Sequence, residues 1–407
     1  MGDPEASAAG RLEPGPGYDS AIVSTTPNLQ ESPAPPIPDS VLEPILADLG
    51  LAITALRSRS EDACQVSHAA DVATAGAQVG PRGLLLLFAP GAPGSPALAE
   101  LRNQAWPRFH AVAIYRVRGG SLSRESLSGR EDLGTCAGED GAFLALRRRE
   151  HVLSKDATVE KFDSNASGWN GEPGGPGYPH FRWMRRLVGS YSGSHTASRI
   201  LDFGCGAGWV GIEAALRSKG AHLAFFDPSP EMVRIAEGNA RESGIADFTG
   251  RVGFGEEPPF PAEDEQRYDL VISSGVVSFS PDFEGWMEGL VGTCAPGATL
   301  VVGDLHPTST GMRHRKRNKP LLPVREMNGT PRGPVRQWLE ARGYVHEASS
   351  GYQLSRPIPQ AMFFNETRLK GVLSWPLVGT NALATKLSSA LGEDRFDSWV
   401  MRFRAPN

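Results

Sequence analysis

The chain has 407 residues, a formal net charge of −5, 40% hydrophobic and 21% charged residues, enough for two domains and a tail at roughly 150 residues per domain. The acidic balance excludes a globally basic surface for nucleic acid. Cys64, Cys136, Cys205 and Cys294 lack metal-ligand or disulfide spacing, and Leu84–Ala89, the longest apolar run, is far too short to span a bilayer.

No secretory pattern is visible in Met1–Glu31, and Ala6 stands where N-myristoylation wants Ser or Thr, so a cytoplasmic location is expected. Residues 1–38, rich in Pro, Gly, Ser and Ala, read as a disordered tail. Asp39 is expected to cap a helix through Leu42, Ile45, Leu46, Leu49, Ile53 and Leu56. Leu84–Phe88 reads as a strand, Leu98 and Leu101 as a short helix, and Val112, Ile114 and Val117 as an alternating strand. Residues 39–150 thus make a small α/β accessory domain without a catalytic constellation, and 151–407 make the functional one.

Within the second domain Ile200, Leu201 and Phe203 form a buried strand, and Gly204, Gly206 and Gly208 form a tight turn that lets backbone approach a ligand. A helix through Ile212, Ala215 and Leu216 follows and stops at Gly220. His222–Phe226 is the next strand, with Asp227 at its carboxyl end, nineteen residues after Gly208. This is a βαβ unit with glycines at one crossover and an acid at the next, a layout that grips an adenosine-bearing cofactor. The third glycine comes one residue early for a dinucleotide fingerprint, and Trp209 fills the position where that fingerprint needs glycine.

With Asp202 two residues before Gly204, the stretch resembles motif I of the class I S-adenosylmethionine-dependent methyltransferases. The resemblance runs from about residue 160 to 404. It implies a Rossmann-like, seven-stranded, mostly parallel sheet with helices on both faces and a last antiparallel strand at Trp399, Met401 and Phe403. It implies S-adenosylmethionine as cofactor and no metal. By that resemblance Asp202, Gly204, Cys205, Gly206 and Gly208 seat the methionine part, and Asp227, with Pro228 and Met232 behind it, takes the ribose. Gly255 and Glu256 neighbour the adenine, and Ser274 and Gly275 face the methionine end.

The remaining elements alternate as an open α/β sheet requires. Ser229 caps a helix with Pro230 at its first position, Arg251–Phe254 and Tyr268–Ser273 are strands, and Asp282 caps a strongly amphipathic helix through Phe283, Trp286, Met287 and Leu290. Ala298–Val302 and Tyr344–Leu354 are further strands, with a helix at Val335, Trp338 and Leu339 between them. Leu383, Leu387 and Leu391 are expected on one helix face. Phe162, Trp169 and Tyr178 are candidates for a lid over the cofactor, the alternative being a linker before a helix Phe181–Val188. His306, just past a strand, is the candidate general base. Arg313 and Arg315 head a basic run through Lys319 that reads as a solvated loop, or as a lid attracting an anionic acceptor. The leading expectation is methyl transfer to a small organic molecule, O-, N- or C-linked, in secondary metabolism. RNA or protein methylation through residues 313–319, and a non-catalytic cofactor-binding protein, are the alternatives. Assembly state is left open.

Overall fold

Two sheets organise the chain. The computed structural model describes residues 37–51, 64–68, 72, 76, 79–80, 83–91, 96–126, 129–164, 166, 170, 185, 187–193, 196–258, 267–307, 309–311, 329–355 and 375–407. The expected tail, the helix Phe181–Val188 and the basic run 313–319 lie almost wholly outside them.

The first sheet has six strands in the order β1-β2-β6-β3-β4-β5. They are β1 Cys64–His68, β2 Leu84–Pro90, β3 Phe109–Arg118, β4 Ser121–Ser126, β5 Gly129–Thr135 and β6 Gly141–Arg148. Only β1 and β2 pair in parallel; the other pairs are antiparallel. Helix α1 (Asp39–Asp48) starts without a side-chain cap, so Asp39 sits in the first turn rather than before it. There its charge still suits the helix N-terminus. Val41, Leu42, Ile45 and Leu46 bury against one face of the sheet, and α2 (Pro96–Ala105) places Leu101 and Ala105 on the other. The helix ends at Asp48 instead of running to Leu56; Ile53 and Leu56 fall outside the described residues.

The second sheet has seven strands, β12-β13-β11-β10-β7-β8-β9: β7 Arg199–Phe203, β8 His222–Asp227, β9 Phe248–Val252, β10 Tyr268–Ser274, β11 Cys294–Leu305, β12 Val345–Leu354 and β13 Phe396–Arg404. Strands β9, β8, β7, β10 and β11 are parallel, and β13 runs antiparallel between β11 and β12. Consecutive residues feed opposite cores: Leu201 and Phe203 pack on one side, Ile200 on the other. Helices therefore cover both faces, as continuous apolar strands require. The Rossmann-like architecture read from the sequence is the observed one, with β9 three residues earlier than expected.

Between the sheets run α3 (Arg149–Val152) and α4 (Lys155–Ser164). Both sheets lie in one unit, Ile37–Asn407. Trp106, from the first sheet's side, belongs to the core of the second, its ring edge-on to Phe283 at 4.9 Å.

One expected face is reversed. In the helices Trp375–Lys386 and Ser388–Leu391 and the residue that joins them, Leu383 is 60% exposed and Leu387 48%, while Asn381, Ala384, Thr385 and Ser388 are buried. The helices dock on β12 through polar bonds, Leu354 N to Asn381 Oδ1 at 2.8 Å and Ser350 Oγ to Thr385 O at 3.2 Å. Hydrophobic spacing could not report that contact.

Candidate cofactor and acceptor site

A cavity of about 620 Å³ opens beyond the carboxyl ends of the parallel strands, the place where open α/β sheets bind ligands. Its floor is the glycine turn after β7. Gly204 N and Cys205 N donate to Phe226 O at 2.7 and 3.0 Å, tying the turn to β8. Gly204 has φ +77°, and a Cβ there would meet the Val276 side chain at 2.5 Å. At Gly206 a Cβ would meet nothing within 4 Å, so this residue borders open space. Gly208 lies behind the wall: its role is to let α5 (Trp209–Arg217) pack, since a Cβ would stand 2.8 Å from Ala236 Cβ.

Asp202 and Asp227 divide the work of this turn. Asp202 Oδ2 accepts from Gly211 N at 2.8 Å, satisfying an orphan donor of the first turn of α5. Burial pushes its carboxyl up to about 7. Asp227 Oδ2 accepts from Gly206 N and Oδ1 from Ser229 N, both at 2.9 Å. Each oxygen keeps acceptor capacity beyond that bond. Burial raises this acid to about 6, against the pull of the two backbone donors.

Ser229 caps α6 (Pro230–Glu242), accepting from Met232 N at 3.1 Å, with Pro230 at the first position. Its hydroxyl also donates to Asp163 Oδ1, which pins α4 over the site. Lys155, Thr158, Lys161 and Phe162 of α4 then line the cavity. Phe162 meets Phe279 edge-on at 5.1 Å, and Lys161 Nζ lies 5.2 Å from the Phe279 ring centre. Asn170 adds a second tie: Trp209 Nε1 and Asn239 Nδ2 both donate to it, and Asn239 reaches Ala207 O as well.

On the other side Gly255 is glycine because a Cβ would collide with Trp286, which lines the cavity beside Phe254 and Glu256. Glu256 accepts from the Ser280 hydroxyl. Ser274, Gly275 and Arg185 line the cavity beyond β10, with Arg185 Nη1 donating to Ser274 O at 3.5 Å.

The cavity brings together Asp202, Gly204, Cys205, Gly206, Asp227, Pro228, Met232, Gly255, Glu256, Ser274, Gly275 and Phe162, all singled out from the sequence. It does not bring His306. Only Leu305 reaches the wall; the His306 ring lies 3.7 Å from Asp394, and its backbone N donates to Asp397 O. Trp169, Tyr178, Arg313 and Arg315 lie outside the described residues. Sequence reasoning missed Asn170, Arg185, Trp286, Tyr352, Gln353 and Ser398, which tertiary pairing alone brings to the site. For Lys155, Thr158 and Phe162 the helical spacing was a usable signal.

The geometry fits an adenosyl amino acid: an open glycine cradle, a buried carboxylate with free lone pairs, and an aromatic slot at Trp286. A seven-stranded sheet of this topology carrying that turn and that acid is the arrangement of class I S-adenosylmethionine-dependent methyltransferase domains. Residues 194–328 match a family model described as a methyltransferase domain, and S-adenosylmethionine is the cofactor of this class. A ubiquinone biosynthesis O-methyltransferase of Xylella fastidiosa (strain M23) is 29% identical over 157 residues, 38% of this chain and 61% of that protein. The chain thus spans about three fifths of that relative's length. An uncharacterized protein of Mycobacterium tuberculosis (strain H37Rv) is 32% identical over 114 residues, 28% of this chain and 39% of that one. Among solved structures, the [4+2]-cyclase SpnF aligns at 16% identity and TM-score 0.42, covering 61% of this chain and 95% of that chain. The magnesium protoporphyrin IX methyltransferase of Synechocystis with bound SAH aligns at 16% and 0.41, covering 62% and 99%. Among the described residues, no helix is long and apolar enough to cross a membrane.

Proposed function

We propose that the chain transfers the methyl group of S-adenosylmethionine to a small organic molecule. The observation that carries this reading is Asp227: a buried carboxylate, fixed by Gly206 N and Ser229 N, in the wall of the cavity. Its open lone pairs suit the two ribose hydroxyls. Gly255, Glu256 and Trp286 flank the adenine, while Gly204, Gly206 and the Arg185 guanidinium take the amino-acid end. The bound cofactor supplies a methyl group that its sulfonium already makes electrophilic. The protein's own task is to orient the partners and exclude water, which α4 serves by lining the cavity with Lys155, Thr158, Lys161 and Phe162. His306 has no place in this scheme, since the cavity wall does not include it.

Methyl-labelled S-adenosylmethionine added to the full chain with separated small-molecule, RNA and protein fractions tests the reading. Label in the small-molecule fraction supports it. Label confined to RNA or protein, or no uptake by any fraction, sinks it.

A further inference from the structure

The cavity runs past β10 to a wall that the cofactor reading leaves unused. Tyr352 and Gln353 of β12 and Ser398 of β13 line it, and at 7%, 7% and 2% exposure all are buried. Successive residues of a strand ordinarily face opposite sides of the sheet. Here both Tyr352 and Gln353 line the same cavity: Ser398 Oγ donates to Gln353 Oε1 at 3.3 Å, and the phenol of Tyr352, the cross-strand neighbour of Ser398, meets Ser274 Oγ at 3.4 Å.

The backbone explains this. Gln353 has φ +64°, the only non-glycine residue with positive φ among the described residues. A side chain in that region costs about 1–2 kcal/mol. The distortion serves no change of register, because Tyr352↔Ser398 before it and Leu354↔Phe396 after it keep the same pairing. What it changes is direction, delivering a carboxamide to the wall.

That carboxamide has unused capacity. Ser398 engages one end; whichever way the amide is turned, the other end has no partner among the described residues. The free end is not among the buried side-chain atoms that lack a partner, and Gln353 lines the cavity, so a ligand seated there can take up that capacity. Its chemistry is neutral throughout: a carboxamide, the Ser274 and Ser398 hydroxyls, and the Tyr352 phenol, 3.4 Å from Ser274 Oγ. Arg185, the neighbouring cation, donates to Ser274 O, and the methyl-transfer reading gives its remaining donors to the cofactor's amino-acid end. A carboxylate or ammonium head would be desolvated here without a counter-charge.

Resting on the methyl-transfer reading, we propose that Gln353 is the specificity-determining residue for the acceptor, turned into the cavity to hydrogen-bond an uncharged hydroxyl- or carbonyl-bearing head. Catechol, benzoate and benzylamine are suitable probes, since they present two hydroxyls, a carboxylate and an ammonium on one ring. Methyl transfer to each is measured on the full chain, wild type, Gln353→Leu and Gln353→Gly, alongside S-adenosylhomocysteine affinity and melting temperature. Wild type should favour catechol by about tenfold or more, and both variants should lose about tenfold in kcat/KM with cofactor affinity held within about twofold. Gln353→Gly should melt no lower than wild type, because glycine relieves the strain. The assignment is overturned if either variant keeps catechol turnover, if benzoate or benzylamine is preferred, or if none of the three is methylated by a protein that binds S-adenosylhomocysteine. Absence of that binding takes down the methyl-transfer reading, and this one with it.

Discussion

Arg149 and Ser280 are joined across the boundary between the two sheets by two hydrogen bonds, Nε and Nη2 to Ser280 O at 2.9 and 2.7 Å. The guanidinium is fully buried, stacks 4.6 Å from the Trp106 ring, and makes its other bonds to Val277 O, Ser278 O and Trp106 O. Burial brings its pKa down to about 10. From below, Asp304 holds the same 3₁₀ turn (Val277–Phe279), accepting from Ser278 N and Oγ at 3.0 and 3.2 Å. The first sheet thereby fixes a turn whose Phe279 and Ser280 line the cavity. Arg149→Met should cost about 2–4 kcal/mol, since it strands buried carbonyls. Arg149→Lys, with fewer donors, should fall between. Thermal unfolding of the three proteins checks the order; unchanged melting in the Met variant contradicts it.

Asp227→Asn should weaken S-adenosylhomocysteine binding by about tenfold to a hundredfold, the range for a charge-assisted bond lost from a buried site. In wild type the same loss should come with acid. The carboxyl titrates at about 6 in the folded chain, so the ionised acceptor is present above that pH and lost below it. Affinity at about pH 5 should be about tenfold lower than at about pH 7.5. Calorimetric titration across that range decides it, and a flat profile excludes Asp227 as the acceptor.

Asp202 governs stability rather than affinity. Its folded-state carboxyl lies at about 7, against the ordinary carboxylate value of 3.8. The native state therefore holds a proton the unfolded chain has released, and stability is greatest below the unfolded pKa and falls as pH rises through about 7. Asp202→Asn cannot ionise, so relative to wild type it should gain up to about 4 kcal/mol between about pH 4 and 8. A difference in melting temperature that does not grow with pH over this interval refutes the idea.

The two glycines at the end of the turn should respond in opposite ways. Gly208→Ala puts a methyl against Ala236 and Phe225 at φ +79° and should cost about 2–4 kcal/mol of stability. Gly206→Ala, at φ +49° with nothing within 4 Å, should cost only about 1 kcal/mol. Its methyl enters the space meant for the cofactor, so binding is what suffers. Parallel melting and S-adenosylhomocysteine titrations separate the two effects.

Much of the parallel sheet was legible because its signals are local. Ile200–Phe203, the glycines and Asp227 lie within one βαβ unit, and Ser229 with Pro230 announces a helix start whatever surrounds it. Gly208 was misassigned to the ligand for the same reason: a left-handed glycine looks alike in sequence whether it faces a cofactor or a packed Ala236. His306 stood just past a strand end, but β13 brings Asp397 to its backbone and Asp394 lies beside its ring. Leu383 and Leu387 kept helical spacing on the solvent face, because polar bonds at Asn381 and Thr385 set the docking.

By itself the sequence determined the order of strands and helices of the second sheet, the glycine turn and the acid opposite it, since backbone conformation and hydrophobic period are written over a few residues. Only the tertiary structure decided that α4 lies over the cavity, that Arg149 ties the first sheet to its rim, and that Tyr352, Gln353 and Ser398 form its far wall. Those residues come from positions about 50 to 250 apart in the chain, and nothing in local spacing encodes which distant hydrogen-bond donor finds which acceptor when loops close.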